Sequence, residues 1–97
     1  MNVIIKFEYY ADIIEIPDYL IPDLKKTYIK FGKWLFDKNN NHGYWVIKDG
    51  RKYGILSKSE SFVEWLNKYI LFDNKEKAKI VQKKVCEFDK NLPILFF

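Results

Sequence analysis

The stretch Tyr44-Trp45-Val46-Ile47-Lys48-Asp49-Gly50-Arg51-Lys52-Tyr53-Gly54-Ile55-Leu56 reads as two short strands joined by a two-residue turn. A type I′ turn needs positive φ at both central positions. Gly50 adopts that freely and Asp49 tolerates it. The turn predicts a register: Lys48 opposite Arg51, Ile47 opposite Lys52, Val46 opposite Tyr53, Trp45 opposite Gly54 and Tyr44 opposite Ile55. One face then carries Tyr44, Val46, Tyr53 and Ile55, and the other Trp45, Ile47 and Leu56. Two apolar faces suit a central hairpin better than an edge one.

Upstream, Val3, Ile5, Phe7 and Tyr9 alternate toward one face, and Ile13 to Ile16 forms a second short run before Pro17. A reversal near Tyr10-Ala11 would pair Ile5 with Ile16 and Phe7 with Ile14. It would also set Lys6 across from Glu15, a favourable cross-strand pair. Pro22 and Asp23 suit the first turn of a helix, where a missing N–H costs nothing and a carboxylate meets the positive end of the dipole. Leu24, Tyr28, Phe31 and Leu35 then fall within about a 60° arc of a helical wheel, with Lys26, Lys30 and Lys33 opposite. This helix is expected to end near Lys38.

Downstream, Ser61 and Glu64 have capping-box spacing. They predict a helix from Phe62 to about Leu71 with a broad apolar arc of Phe62, Val63, Trp65, Leu66, Tyr69 and Ile70. Asp73 to Glu76 offers a second capping pattern, and Ala78, Val81, Val85 and Phe88 make the stripe of a third helix. Pro93 ends it, and Ile94 to Phe97 reads as a last strand that closes the fold's own core. The predicted order is ββα-ββα-α-β: an α+β fold with an antiparallel or mixed sheet of four to five strands packed on two or three helices. Both hairpin–helix units carry Phe-x-x-Trp-Leu, at Phe31-Trp34-Leu35 and Phe62-Trp65-Leu66. Neither this pattern nor an Asp-Gly hairpin is specific to one family.

Residues 1–97 are expected to form a single domain, since no linker divides the chain and its length supports one core. Hydrophobic residues make up 48% of it and aromatic ones 19%, a globular rather than a disordered composition. No apolar run approaches the ~18 residues a membrane span needs, and the N-terminus does not read as a signal peptide. One cysteine, Cys86, excludes an internal disulfide framework and fits a reducing compartment. A cytoplasmic location without membrane contact follows as the expectation.

The net charge is +4, yet sixteen of the seventeen basic residues are lysine. Lys, Asn, Ile, Tyr and Phe share AT-rich codons, so the basic balance reflects genome composition as readily as an acidic partner. His42, the single histidine, has no clustered ligands and reads as a loop residue before a strand. Cys86 reads as a small buried hydrophobe rather than a nucleophile. The carboxylates Asp23, Glu64, Asp73 and Glu76 are accounted for by helix starts, and no glycine motif cradles phosphate. No enzyme activity, cofactor or metal is therefore expected.

The functional expectation is a small non-enzymatic protein-interaction domain, accessory or inhibitor-like, of bacterial or mobile-element origin. Ile29, Trp34, Phe36 and Ile80 lie off the main apolar stripes and are the candidate partner-binding residues. Burial within the fold is the competing account of them. The partner would be another protein, and a homodimer stays open. The alternative is sequence-tolerant nucleic-acid binding by the basic and aromatic hairpin Tyr44 to Tyr53. There Trp45, Lys48, Arg51 and Lys52 would combine stacking with phosphate attraction. A charged, solvated hairpin tip is the plainer account, and a single arginine offers little bidentate readout of guanine.

Overall fold

The computed structural model describes residues 1–56 and 58–97. In chain order the elements are β1 (Asn2–Lys6), β2 (Ala11–Glu15), α1 (Leu24–Leu35), β3 (Trp45–Lys48), β4 (Arg51–Ile55), α2 (Ser59–Trp65), β5 (Lys79–Val85) and β6 (Ile94–Phe96). The fold is α+β, with two helices, a four-stranded mixed sheet and a two-stranded sheet. The chain forms two compact units. Unit 1 combines Met1–Pro22 with Lys58–Phe97, and unit 2 is Asp23–Ser57. Among the described residues no helix is long and apolar enough to cross a membrane.

Unit 1 is built on the sheet β5-β2-β1-β6. β1 is antiparallel to β2 and parallel to β6, while β2 is antiparallel to β5. Val3, Ile4 and Ile5 are all fully buried, as a central strand covered on both faces requires. On one face Val3 pairs with Ile14, and Ile5 with Leu95. The serine that opens α2 bonds to Asp12 on this same face, and α2 packs on β2 and β5. On the other face Ile4, Ala11 and Val85 form a cluster covered by Ile13, Phe88, Leu92 and Ile94. Fully burying each large apolar side chain contributes roughly 1.5–3 kcal/mol. The final strand joins the sheet at its edge beside β1 and buries Leu95, whereas Phe96 is 70% exposed, so only part of the tail's apolar run enters the core. Pro93 C=O accepts the Ile4 N–H at 2.8 Å, and Lys6 C=O accepts the Phe97 N–H at 2.9 Å.

The first hairpin forms with a different register. Val3 faces Ile14, Ile5 faces Asp12 and Lys6 faces Ala11. The turn lies at Glu8–Tyr9, closed by Phe7 N–H to Tyr10 C=O at 2.8 Å. Relative to the expected pairing the slip is four residues. An even slip keeps every side chain on its own face, so apolar alternation cannot distinguish the two registers. Glu15 pairs with Lys79 at 3.3 Å rather than with Lys6.

The third helix does not form. Lys79–Val85 is β5, hydrogen-bonded along β2. The apparent helical stripe is coincidental: Val81 is 49% exposed, whereas Ala78 and Val85 are buried. Asn74 Oδ1 does accept the Glu76 N–H at 3.0 Å, but it closes a turn and no helix follows. Burial of Ile80 and Val85 along the open edge of β2 outweighs a weak helical preference in a segment rich in β-branched residues. Asn67 clips the start of this strand to the end of the second helix. Its side chain donates to Ala78 C=O at 2.9 Å and accepts the Ala78 N–H at 2.7 Å. Cys86 follows β5 and is exposed, not buried, because the helical face that would have covered it is absent.

The helices differ at their ends. α2 begins at Ser59 and continues as a π-helical turn over Leu66–Ile70. Ser61 is thus not the N-cap. Its hydroxyl accepts the Lys58 N–H at 3.3 Å and donates to Lys58 C=O at 2.6 Å. Phe62, Val63, Trp65 and Leu66 are buried as expected, but Tyr69 is exposed. A 3-10 turn over Asp18–Asp23 takes up Pro22 and leads into α1. α1 buries Leu24, Thr27, Phe31 and Leu35 and stops at Leu35, three residues short of Lys38.

In unit 2 the Asp-Gly hairpin forms with φ of 53° at Asp49 and 73° at Gly50, as a type I′ turn demands. Lys48 faces Arg51 and Ile47 faces Lys52 as expected. A bulge then shifts the ladder, so that Val46 faces Gly54 and Trp45 faces Ile55. The hairpin is not the centre of the sheet. β3 and β4 pair only with each other and leave Ile47 and Tyr53 exposed.

Candidate interaction surface

Unit 2 is organised by His42. Its ring lies 4.7 Å from Trp34 and 5.1 Å from Trp45, parallel to the latter within 5°. A carbonyl can only accept, so the 2.7 Å contact with Leu35 C=O places the proton on Nε2. Nδ1 then accepts the Tyr44 N–H at 3.3 Å. The imidazole thereby joins the end of α1 to the start of β3. Asn40 acts in parallel. Its side chain donates to Trp34 C=O at 2.9 Å, and its own carbonyl accepts the Trp45 indole N–H at 2.7 Å. Lys52 donates to Lys38 C=O and to Asn41 Oδ1, with its ammonium 5.4 Å from the Trp45 ring.

These contacts divide the sequence-selected residues. Trp34, Trp45 and Lys52 are half-buried and hold the loop Asn39 to Gly43 against the helix end. Lys48 and Arg51 remain exposed. The Lys48 ammonium lies 5.2 Å from the ring of Tyr53, itself 74% exposed. The basic and aromatic hairpin thus presents Lys48, Arg51 and Tyr53, with Trp45 and Lys52 engaged in the unit.

The off-stripe apolar residues divide as well. Ile29 is 58% exposed and Phe36 65%. Phe36 continues the last turn of α1 through its N–H to Gly32 C=O at 3.0 Å. Seven residues is two helical turns, so Ile29 and Phe36 lie on one face, with Gly32 between them. A Cβ on Gly32 would meet nothing within 4 Å, so the gap between the two side chains is open. Ile80 belongs to unit 1, half-buried in β5 opposite Ile14. Burial raises the Tyr28 phenol above its ordinary pKa by desolvation.

One group has no counterpart in the sequence reading. Asp12 is buried in β2, and one carboxylate oxygen accepts the hydroxyl proton of fully buried Ser59. The other accepts the Lys84 N–H at 2.9 Å. The available signal was an acid inside an apolar run, Ala11 to Ile14. With the reversal expected at Tyr10-Ala11, that acid falls opposite Tyr9 beside the turn, rather than opposite Ile5 within the strand pair. Among the described residues no three His, Cys, Asp or Glu side chains gather in a way that could hold a metal ion.

Comparison with known proteins finds no matching family model, no matching curated protein and no matching solved structure.

Proposed function

We propose that this chain is a small non-enzymatic interaction protein, accessory or inhibitor-like, that works by covering a surface of another protein. The observation that carries this reading is the exposed pair Ile29 and Phe36 on α1, flanking the open position at Gly32. A glycine inside a helix costs about 1 kcal/mol relative to alanine. Here neither a left-handed conformation nor close packing within the chain calls for one. A flat strip between two apolar side chains suits the close approach of a partner's apolar ridge. Val46, Ile47, Tyr53 and Leu56 are further exposed apolar or aromatic residues of the same unit. A cytoplasmic setting and a bacterial or mobile-element origin remain part of this proposal.

The test is quantitative affinity purification from the native host with the unmodified chain and with Ile29→Glu/Phe36→Glu. Both positions are exposed, so the melting temperature should stay within a few degrees, and the specific partner should be lost. Retention of the partner by the double variant overturns this surface. A shift to dimer in the unmodified chain alone, seen by analytical ultracentrifugation, identifies the partner as a second copy.

The exposed group Lys48, Arg51 and Tyr53 supports nucleic-acid binding as the second reading. That reading requires affinity to fall steeply with salt, since phosphate neutralisation releases counterions. It also requires Lys48→Glu/Arg51→Glu to abolish the complex. The engagement of Trp45 and Lys52 within the unit weighs against it.

A further inference from the structure

Unit 1 contains a cleft of about 280 Å³ between the β1–β2 turn, the start of α2 and the end of β5. Its acceptors are satisfied from within. Both Asp12 oxygens are taken, by the Ser59 hydroxyl and the Lys84 N–H. Glu60 pairs with the Lys83 ammonium. Its donors are not. Tyr10, Lys58 and Lys84 also line the cleft, and neither the Tyr10 hydroxyl nor either ammonium has an acceptor among the described residues.

The backbone explains why two consecutive lysines serve one cleft. In a regular strand, neighbouring side chains point to opposite faces. Lys84 adopts φ 54°, and the β2–β5 ladder is shifted beside it. This bulge, held by Asp12, turns Lys83 and Lys84 toward the same opening. The aromatic wall is Phe7 stacked on Tyr10, with ring centroids 5.0 Å apart.

We propose that this cleft binds a small organic phosphate bearing a planar ring, the chemistry of a nucleoside monophosphate. Lys58 and Lys84 supply point charges to the phosphate, the Tyr10 hydroxyl donates to it, and the Phe7–Tyr10 pair offers a surface for the ring. The larger cleft of unit 1, about 770 Å³, is a poorer candidate. Its lysines are engaged, Lys79 with Glu15 and Lys77 with Leu71 C=O.

Isothermal titration of the full chain with adenosine monophosphate, ribose 5-phosphate, adenosine and inorganic phosphate tests the proposal. Adenosine monophosphate should bind saturably and more tightly than any of the other three, and added salt should weaken it. Amide shifts in a parallel NMR titration should centre on Tyr10, Lys58 and Lys84. Lys58→Gln/Lys84→Asn should weaken binding by at least about tenfold. Asparagine tolerates the left-handed backbone, so this variant should keep the fold. Lys25→Gln/Lys30→Gln on α1 should leave affinity unchanged. Three results would each overturn the site: no saturable binding up to about 10 mM, amide shifts centred elsewhere in the unmodified chain, or equal weakening by the α1 control.

Discussion

Replacing Asp12 tests how unit 1 is held together. The carboxylate ties three segments: β2, the first residue of α2 through Ser59, and the bulge of β5 through Lys84. Asp12→Ala removes both bonds, leaving a fully buried hydroxyl and a partly buried N–H without their acceptor. A hydrogen bond to a charged group contributes about 1.5–3 kcal/mol, and a stranded buried donor costs about 1–3 kcal/mol. These figures overlap, so the net loss should be about 3–5 kcal/mol, a large part of a stability near 5–15 kcal/mol. Asp12→Asn is different. Its carbonyl can still accept the Lys84 N–H, and its amide can donate to the Ser59 oxygen once that hydroxyl rotates. The asparagine variant should lose less than about 1.5 kcal/mol. Urea unfolding followed by tryptophan fluorescence separates the two. With an m-value of roughly 1.5 kcal/mol/M, a loss of about 3 kcal/mol lowers the midpoint by about 2 M. Equal, small shifts for alanine and asparagine would refute the reasoning, since the carboxylate would then be dispensable to both partners.

Truncation after Leu92 removes β6 and buried Leu95, and the shortened chain should melt well below the full-length protein or precipitate; an unchanged melting temperature would place the tail outside the core. His42→Ala should destabilise the hairpin loop by about 1–3 kcal/mol, from lost ring stacking and two lost hydrogen bonds, with altered tryptophan emission; unchanged emission and midpoint would refute the His42-centred stack. The Tyr28 phenol is raised, so its contribution is present below the ordinary phenol value of 10.0 and is lost as pH rises through the folded-state value. Tyr28→Phe should therefore lose less stability than the unmodified chain as pH rises above the ordinary phenol value, and identical pH profiles would contradict the burial of that phenol.

Local chemistry was legible where one residue type carries the constraint. Asp49-Gly50 specified its own turn and the first two rungs of its ladder, because positive φ leaves few alternatives. The α1 stripe was legible because burial of Leu24, Phe31 and Leu35 repeats at helical spacing. Failures came where pairing partners decide. β5 contains Lys79, Lys83 and Lys84 and lies on a sheet edge, so its outward positions are solvated and its alternation is broken. Lysine on an edge strand discourages pairing with other chains. It also removes the period-two pattern by which a strand is recognised, and the remaining apolar positions then mimic a helical stripe.

The candidate site shows the same division at the level of side chains. Stacking and phosphate attraction need residue types such as Trp45 and Lys52, and the types alone are sound. Function, however, depends on which donors and rings remain unspent after folding. Trp45 spends its indole N–H on Asn40 and its face on His42, and Lys52 spends its ammonium on loop carbonyls and Asn41. Neither expenditure is visible in sequence, since the partners are supplied by a polar loop whose conformation His42 sets. Lys84 is the converse case. It lies in a lysine-rich segment of no special pattern, yet Asp12, seventy-two residues away in sequence, fixes its backbone and leaves its ammonium uncommitted. Residue type therefore proposes the chemistry, and the internal hydrogen-bond account decides where that chemistry is still available. In unit 2 that account leaves Ile29, Phe36, Lys48, Arg51 and Tyr53 at the surface, and in unit 1 it leaves Tyr10, Lys58 and Lys84 at one cleft.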